Sequence, residues 1–379
     1  MHEANQKTAK KELMLLSKLR CTHFKNYTDI TLTFADQLNF IVGPNGAGKT
    51  TLLDSIHYLS LTKSAFNSID AQNIQHGQEA FAVEGDFLKN DKTCTIQCLF
   101  QKRGGKHVKN NDRPYEKLRD HIGLFPIVLS TPDDMDLVRG GREERRNFFD
   151  TLLCQLDGNY LRTLLQYQHL LKQRNSLLKL YQETKMLDQD LLASYDHRLL
   201  PLGKQLFVAR SAFIDLFAPS FQKYYQYFVD ASEEVRLIYV SEVASDDFAH
   251  QFSNSLQHDL ALQRTNKGVH RDEVLFLLNG HSLKKIGSQG QQKSFVIALR
   301  LAQFECIHKT LQLKPLLLLD DIFDKLDEQR MNRLIQLIAQ HHFGQVFVTD
   351  AKGKSSAAIM RQVEADQALF SIAQGKHVA

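Results

Sequence analysis

The chain has 379 residues, of which 43% are hydrophobic and 24% are charged, and its formal net charge is +4. This length indicates two domains, or one domain with a large insertion. The small positive charge permits a nucleic-acid partner without requiring one, so a binding surface has to come from local clusters of Lys and Arg. Because no apolar run approaches the ~20 residues of a membrane span, we expect no membrane-embedded segment.

Five scattered cysteines indicate the compartment in which the chain works. Their odd number and irregular spacing argue against a disulfide framework and favour a reducing, cytoplasmic setting. Cys94 and Cys98 share one face of a predicted strand, but no further ligands stand at zinc-site spacing, so two buried small side chains are favoured over a metal site. Residues 1–11 lack the apolar core of a signal peptide and are predicted to form a loose polar tail.

Strand patterns surround a single glycine-rich loop near the N-terminus. Residues 38–42 form an apolar run of strand formers, and apolar residues recur at helical spacing from Leu52 to Leu59. A hairpin turn is predicted at 103–106 and irregular structure at 63–78. Further strands are predicted at 13–23, 29–34, 81–88 and 93–102. The pattern therefore predicts an antiparallel β region beside the loop.

The loop itself, residues 43–50, reads G-x-x-x-x-G-K-[ST], the phosphate-binding loop of nucleotide hydrolases. Glycines let the backbone wrap around phosphate oxygens with its N–H groups inward, and the following helix N-terminus adds a partial positive charge. Lys49 is predicted to reach the β- and γ-phosphates, and the Thr50 hydroxyl to bind Mg²⁺. The alternative is a glycine-rich turn that matches by chance. The predicted nucleotide-binding residues here are Gly43, Pro44, Asn45, Gly46, Ala47, Gly48, Lys49, Thr50 and Thr51.

A mainly helical region interrupts this pattern from about residue 141. Apolar residues step by three and four over 149–171 and 192–216, which predicts long amphipathic helices, and Pro201 is expected to start or kink the second. A strand is predicted at 235–240. We interpret the region as an inserted arm. The expected domains are residues 1–140, the first part of an α/β head, 141–262, the arm, and 263–379, the second part of the head.

The α/β pattern returns after the arm. A strand at 274–278 precedes a turn at Asn279-Gly280, and a helix face runs through 295–306. Apolar strands are predicted at 316–319 and 345–349. Because helices fill the spaces between these strands, a mostly parallel sheet is expected.

Two carboxylates, Asp320 and Asp321, follow the apolar strand 316–319. In phosphate-loop proteins the first acid holds Mg²⁺, often through water, and the second is placed to activate the attacking water. Asp320 and Thr50 are therefore the predicted metal ligands, and Asp320, Asp321 and Lys49 the predicted catalytic residues. A buried strand that ends in an exposed Asp pair also occurs in α/β domains without this function.

A third motif, Ser-Gln-Gly-Gln-Gln-Lys at residues 288–293, precedes a predicted helix. A small polar residue and a glycine before a long helix predict a second anion-binding N-terminus at Ser288, Gly290 and Gln291. The alternative is an ordinary helix capped by Ser288.

These three motifs, in this order, resemble the head of the ABC ATPases. The resemblance implies that two heads sandwich two ATP molecules head to tail, with the signature segment of one subunit closing on the γ-phosphate held by the other. Leu326 and Asp327 resemble the loop that crosses this dimer interface. Transporter subunits usually carry Leu-Ser-Gly-Gly-Gln and lack a long helical insertion. SMC proteins have a far longer arm than the roughly 240 residues between Lys49 and Ser288 allow.

Nearly the whole chain resembles the RecF family of bacterial recombinational repair proteins. Besides the three motifs, the resemblance rests on residues 23–27 (His-Phe-Lys-Asn-Tyr), 130–134 (Ser-Thr-Pro-Asp-Asp), Gly140, 145–150 (Arg-Arg-Asn-Phe-Phe-Asp) and 268–273 (Gly-Val-His-Arg-Asp-Glu). Val269 stands where the family usually has proline, and Asp324 where the interface loop usually has serine. Asp321 is usual in this family, whereas most ABC ATPases have glutamate.

The resemblance implies an ATP-dependent DNA-binding protein with ATP and Mg²⁺ as cofactors. It further implies an ATP-driven homodimer that clamps duplex, gapped or junction DNA, and partnership with RecO and RecR in loading recombinase, with a link to replication and the SOS response. Because the short Asp321 reaches less far toward water, we expect slow, DNA-stimulated ATP hydrolysis, with ATP acting as a switch. The alternatives are a transporter-energising ABC subunit, an SMC-like bridging protein and a nucleotide-binding scaffold without turnover.

Two groups of basic residues are candidates for contact with DNA phosphates, which would give binding that weakens steeply with salt. The alternative is solvated surface charge, with Arg145 and Arg146 paired along a helix to Glu143, Glu144 or Asp150. The first group is Lys102, Arg103, Lys106, Lys109, Arg113, Lys117 and Arg119, and the second is Arg139, Arg142, Arg145 and Arg146.

Overall fold

The computed structural model describes residues 13–229, 233–322, 326–340, 342–351 and 353–378. The predicted polar tail at 1–11 and the departure at Asp324 lie outside these residues. The strands are β1 (Met14–Phe24), β2 (Tyr27–Thr33), β3 (Leu38–Val42), β4 (Ala80–Lys89), β5 (Lys92–Gln101), β6 (Gly105–Asn110), β7 (Arg113–Pro114), β8 (Ile127–Ser130), β9 (Val235–Val240), β10 (Glu273–Leu278), β11 (His281–Ser282), β12 (Leu316–Leu319), β13 (Val346–Asp350), β14 (Gln367–Ala373) and β15 (Lys376–Val378). The α-helices are α1 (Lys49–Leu61), α2 (Asp136–Arg139), α3 (Arg142–Leu156), α4 (Gly158–Thr184), α5 (Gln189–Phe228), α6 (Phe248–Asn254), α7 (Leu256–Leu262), α8 (Leu283–Ile286), α9 (Gln289–Leu311), α10 (Glu328–Ala339) and α11 (Lys354–Gln362).

Contacts divide the chain into two compact units, which we call the head unit (residues 1–134 and 293–379) and the arm unit (residues 135–292). Residues 263–292 thus group with the arm, whereas the sequence assigned them to the second part of the head. The reason is that β10 pairs along its whole length with β9. The domain limits at 140 and 262 stay a prediction.

A six-stranded sheet in the order β15-β14-β3-β13-β12-β8 forms one layer of the head unit. The five strands from β14 to β8 run parallel, as the sequence predicted, and β15 pairs antiparallel at the edge. Every residue of β12 is buried, which is typical of an apolar strand inside a parallel sheet. Because parallel strands end at the same edge, the carboxyl ends of β3, β8, β12 and β13 meet there.

The second sheet of the head unit is antiparallel, in the order β2-β1-β4-β5-β6-β7. Its strands include those predicted from alternation, and β4 alternates buried and half-buried positions along its first eight residues. Helix α1 contacts β1, β4 and β5 of this sheet and β8 and β13 of the parallel one. After Thr51 every residue of α1 is buried, as expected of a helix that is covered on all sides.

Three strands of the parallel sheet were absent from the sequence predictions: β8, β14 and β15. β8 has only four residues, and β14 is half-exposed, so neither gives a long periodic signal. Cys94 and Cys98, predicted to share one face of β5, both pack in the core of the head unit. The segment 63–78, predicted to be irregular, contains one short 3-10 turn at Asp70–Asn73.

The arm unit is built on α4 and α5, which pack against each other. These helices have 27 and 40 residues and confirm the two predicted amphipathic helices. Pro201 lies inside α5 rather than at its start. A small antiparallel sheet in the order β11-β10-β9 completes the unit, and Asn279 and Gly280 form the predicted turn with φ of 48° and 78°.

Two buried arginines join the elements of the arm unit. Arg174, 1% exposed, pairs with Asp196 at 2.6 Å and Asp259 at 2.7 Å. Arg210 from α5 pairs with Asp150 at 2.8 Å and Asp272 at 3.1 Å. Because buried charges need partners, each arginine fixes the relative positions of chain segments that are far apart in sequence.

Candidate nucleotide site

The predicted phosphate-binding loop joins β3 to α1 at the carboxyl edge of the parallel sheet. Gly46 and Gly48 have φ of 79° and 118°, a region that favours glycine. A Cβ at Gly48 would lie 2.7 Å from Nδ2 of Asn26, and a Cβ at Gly43 would lie 2.1 Å from the carbonyl oxygen of Ile372. Glycine is therefore required at position 48 because of its backbone conformation and because a side chain would collide with Asn26. At position 43 it is required because a side chain would collide with Ile372.

The Lys49 side chain folds back along this loop. Its Nζ donates hydrogen bonds to the carbonyl oxygens of Gly43 at 3.0 Å and Pro44 at 3.3 Å, and the residue is only 4% exposed. A phosphate oxygen is a stronger acceptor for an ammonium group than a neutral carbonyl. The lysine is thus held beside the loop, where a phosphate could recruit it.

Thr50 and Asp320 are in direct contact, so both side chains can reach one metal ion. Oγ1 of Thr50 lies 3.0 and 2.9 Å from the two carboxylate oxygens of Asp320. Burial raises the pKa of the Asp320 carboxyl, and hydrogen bonds from Thr349 and Thr50 oppose that rise. The structure therefore brings the two predicted metal ligands together from α1 and β12.

A residue that the sequence analysis missed, Thr349, connects the two acids. From the end of β13 its hydroxyl donates to Oδ1 of Asp320 at 2.8 Å and accepts the N–H of Asp321 at 2.8 Å. Thr349 is 1% exposed, so these partners satisfy a buried polar group. The signal available in the sequence was one hydroxyl in the otherwise apolar run 346–349.

Asp321 faces an open cavity of about 640 Å³ together with the loop. Its φ of 44° is unusual for a residue other than glycine, and the bond to Thr349 helps to hold this conformation. The cavity is lined by Lys25, Asn26, Asn45, Gly46, Gly48, Lys49, Thr50, Thr51, Pro132, Asp321 and Ala351.

The donor set at this cavity fits a nucleotide with Mg²⁺. Carboxylate and hydroxyl oxygens are the ligands that Mg²⁺ prefers, and Asp320 and Thr50 supply one of each. The loop and the first turn of α1 offer backbone N–H groups to phosphates. Thr50 and Asp320 would hold the metal, and residues 43–51 the phosphates.

Replacing Thr349 with valine should weaken the use of Mg²⁺ while leaving metal-free nucleotide binding intact. The variant keeps the shape but loses the hydroxyl that orients Asp320. The Mg²⁺ concentration for half-maximal nucleotide binding should rise roughly 10- to 100-fold, the usual effect of removing an outer partner of a metal ligand. Fluorescent ADP, titrated with Mg²⁺ and in EDTA, measures both quantities. Thr349→Ser should behave as wild type, and equal losses with and without metal would contradict the prediction.

The signature residues cap α9. The N–H of Gln291 donates to Oγ of Ser288 at 3.2 Å, and the N–H of Ser288 donates to Oε1 of Gln291 at 2.8 Å, which is a capping box. Gln291 also donates to Glu233 at 2.8 Å. Ser288, Gly290 and Gln291 fall in the arm unit, and their contact with nucleotide stays a prediction. Asp327 caps α10 by accepting the N–H of Arg330 at 2.9 Å.

The structure separates the basic candidates by exposure. Arg145 is 8% exposed and pairs with Glu273 at 2.5 Å, so its acidic partner is none of Glu143, Glu144 and Asp150, the partners considered in the alternative interpretation. Arg146 donates to the carbonyl oxygen of Asp272 at 3.1 Å. In the first group Lys102 pairs with Glu79 and Lys106 with Asp70, at 2.9 and 2.8 Å. The exposed members of that group include Arg103, Lys109, Arg113 and Lys117.

Comparisons with known proteins agree with this geometry. The profile of the family described as RecF/RecN/SMC N terminal domain matches residues 15–371. DNA replication and repair protein RecF of Cytophaga hutchinsonii is 43% identical over 363 residues, which cover 96% of each chain. The protein of the same name from Flavobacterium johnsoniae is 40% identical over 359 residues, 95% of this chain and 100% of that protein.

Solved structures with the same fold include a RecF protein. The recombination mediator protein RecF with ATPrS, described as part of the RecFOR pathway, superposes with a TM-score of 0.87 at 28% identity, covering 97% of this chain and 98% of that one. The Smc head domain of Pyrococcus furiosus reaches a TM-score of 0.57 at 17% identity and shows a shared fold.

None of the helices in the described parts of the chain has the length and apolarity that crossing a bilayer requires.

Fold and site together define an ABC-type ATPase head, assembled from N- and C-terminal segments around an inserted helical arm. This confirms the α/β fold class predicted from the three motifs. Within that class, the chain belongs to the RecF family. The resemblance first drawn from residues 23–27, 130–134 and 268–273 is thereby confirmed.

Proposed function

We propose that this chain binds ATP with Mg²⁺ and that bound ATP controls its attachment to DNA during replication and repair. The observation that carries the proposal is the meeting of Lys49, Thr50 and Asp320 at one edge of the parallel sheet. Relatives named DNA replication and repair protein RecF, and a solved RecF with ATP at a TM-score of 0.87, support it.

Each residue of the site has a task in this proposal. Lys49 and the N–H groups of the loop bind the phosphates, and Thr50 and Asp320 would hold the metal. Bound Mg²⁺ would neutralise charge on the β- and γ-phosphates. Asp321 faces the same cavity and accepts a proton from water. Because the short side chain of Asp321 reaches less far toward water, ATP hydrolysis is slow, and it serves to release the protein from DNA.

The active form is an ATP-dependent homodimer. Ser288, Gly290 and Gln291 of one copy contact the nucleotide held by the other, since the N-terminus of a long helix such as α9 carries a partial positive charge that favours an anion. The closed dimer clamps duplex, gapped or junction DNA. In the cytoplasm it works with RecO and RecR to load recombinase onto gapped DNA, and it supports the SOS response.

The DNA surface that we favour uses the exposed cations on and around β6 and β7. Arg103, Lys109, Arg113 and Lys117 are all exposed, whereas the second group has Arg139 and Arg142 exposed, Arg146 half-buried and Arg145 buried in an ion pair. Each phosphate contact lowers the log–log salt slope of duplex binding by ~0.9. Charge reversal at these four residues should therefore weaken binding to all sequences alike.

The test is a titration of duplex, single-stranded and gapped DNA at several salt concentrations, with and without ATP and Mg²⁺. Light scattering on the same samples measures the oligomeric state. We expect dimers and tight duplex binding only with ATP, and turnover well below one ATP per second. DNA binding that is indifferent to ATP would overturn the proposed control, and absence of DNA binding would overturn the function.

A further inference from the structure

We infer that the β1–β2 turn with the start of β2, and the β14–β15 turn, form a clamp on the phosphate-binding loop, with Asn26, Tyr27 and Gly375 as positioning residues for phosphate binding. The inference rests on the proposed nucleotide function and deepens it. None of the three residues belongs to the loop, and Gly375 lies in the β14–β15 turn, which the sequence analysis did not predict.

Three donors from outside the loop and α1 converge on two successive carbonyl groups of the loop, and the second of these carbonyls also accepts the N–H of Leu52 from α1 at 3.0 Å. Nδ2 of Asn26 donates to the carbonyl oxygen of Ala47 at 3.3 Å, and the N–H of Gly375 donates to the same oxygen at 2.9 Å. The Tyr27 hydroxyl donates to the carbonyl oxygen of Gly48 at 3.0 Å. Tyr27 is fully buried, so its hydroxyl is held in place by packing as well as by this bond.

Fixing these carbonyls fixes the donors that a phosphate needs. In a planar trans peptide the C=O of one residue and the N–H of the next point in opposite directions. Anchoring the Ala47 carbonyl therefore sets the direction of the Gly48 N–H, and anchoring the Gly48 carbonyl sets that of the Lys49 N–H. Gly48 and Lys49 line the nucleotide cavity, where successive N–H groups form an anion-binding concavity.

Glycine is required both in the β14–β15 turn and in the loop, because a side chain at either place would collide with the clamp. A Cβ at Gly375, where φ is 70°, would lie 2.4 Å from the carbonyl oxygen of Asn26. A Cβ at Gly48 would lie 2.9 Å from the Tyr27 hydroxyl. The β14–β15 turn at Gly375 thus touches both the β1–β2 turn that carries Asn26 and the loop. A side chain at Gly375 would push the two turns apart, and a side chain at Gly48 would push the loop away from Tyr27.

The test compares four variants: Asn26→Ala, Tyr27→Phe, Gly375→Ala and the control Gly280→Ala. Gly280 also occupies a hairpin turn, with φ of 78°, but a Cβ there meets no atom within 4 Å. The control therefore carries the backbone strain of Gly375→Ala without its contact. Binding of fluorescent ADP is measured in EDTA, with inorganic pyrophosphate as competitor, and thermal unfolding is followed in parallel.

The clamp predicts selective losses of phosphate affinity. Asn26→Ala and Tyr27→Phe should each bind ADP roughly two- to tenfold more weakly, the effect of one hydrogen bond. Gly375→Ala should lose about tenfold or more, because it moves the turn from both partners. Pyrophosphate should lose the same factor as ADP, and Gly280→Ala should bind as wild type.

Two results would overturn the inference while the proposed function stands. One is wild-type ADP affinity in Asn26→Ala and Gly375→Ala, and the other is an equal loss in Gly280→Ala, which would indicate general destabilisation. If the wild-type chain itself bound no ADP, the proposed function would fail, and the clamp with it.

Discussion

Replacement of Lys49 by methionine should weaken nucleotide binding about 100-fold and abolish ATP-dependent DNA binding. The reason is the loss of two charge-assisted hydrogen bonds from the ammonium group to phosphate oxygens, about 1.5 kcal/mol each. Methionine has a similar length and no charge. The lysine is buried along the loop and donates to Gly43 and Pro44, so its removal also loosens the loop before any phosphate arrives. Fluorescent ADP titration and DNA binding with and without ATP measure the two effects.

Lys92→Met is the matched control for this prediction. Lys92 is an exposed lysine at the start of β5, outside the residues that line the nucleotide cavity. Its replacement removes the same charge from the head unit and should leave ADP affinity unchanged. DNA binding that persists in Lys49→Met and no longer responds to ATP would mean that the nucleotide site is separate from the DNA function.

Replacement of Arg210 by methionine should destabilise the arm unit by about 3–5 kcal/mol, the usual result of leaving buried charges without their partner. Its guanidinium contacts Asp150 at 2.8 Å and Asp272 at 3.1 Å, and also donates to the carbonyl oxygen of Val269 at 2.7 Å. Without it, two buried carboxylates remain. Guanidinium titration followed by circular dichroism gives the free energy of unfolding.

Arg236→Met provides the control within the same unit. Arg236 pairs with Glu234 at 2.6 Å, but both side chains are more than half exposed, at 58% and 56%. Exposed pairs contribute little, so this variant should change stability by less than about 1 kcal/mol. Equal stability of the Arg210 and Arg236 variants would show that the buried network contributes no more than a surface pair.

The contacts of Arg210 also explain the segment 268–273, which the sequence singled out only by resemblance. Asp272 accepts Arg210, and Arg146 donates to its backbone carbonyl. Val269, the departure from the usual proline, supplies a carbonyl to the same arginine, which any residue could provide. The segment therefore has a structural task inside the arm unit.

The sequence by itself determined the elements with strong local signals. The apolar run 38–42, the glycines of the loop and the helical spacing after Lys49 predicted a strand, a phosphate-binding turn and a helix, because each depends on local periodicity and backbone freedom. Asp320 and Asp321 were found because they directly follow 316–319, an apolar run that is itself a local strand signal. The long helices α4 and α5 repeat one period over many turns, so their existence was predicted as well.

Tertiary structure alone decided the partners of these elements. Thr349 lies 28 residues beyond Asp321, and Gly375 lies at the far end of the chain from Asn26. Parallel pairing of β12, β13, β3 and β14 brings Thr349, Asp321 and Gly375 to one sheet edge, and Asn26 meets them from the β1–β2 turn of the antiparallel sheet. The sequence carries no local signal for either arrangement. Arg145 looked like a surface charge, yet it is buried against Glu273. Long-range contacts depend on the packing of whole elements, which local periodicity does not specify.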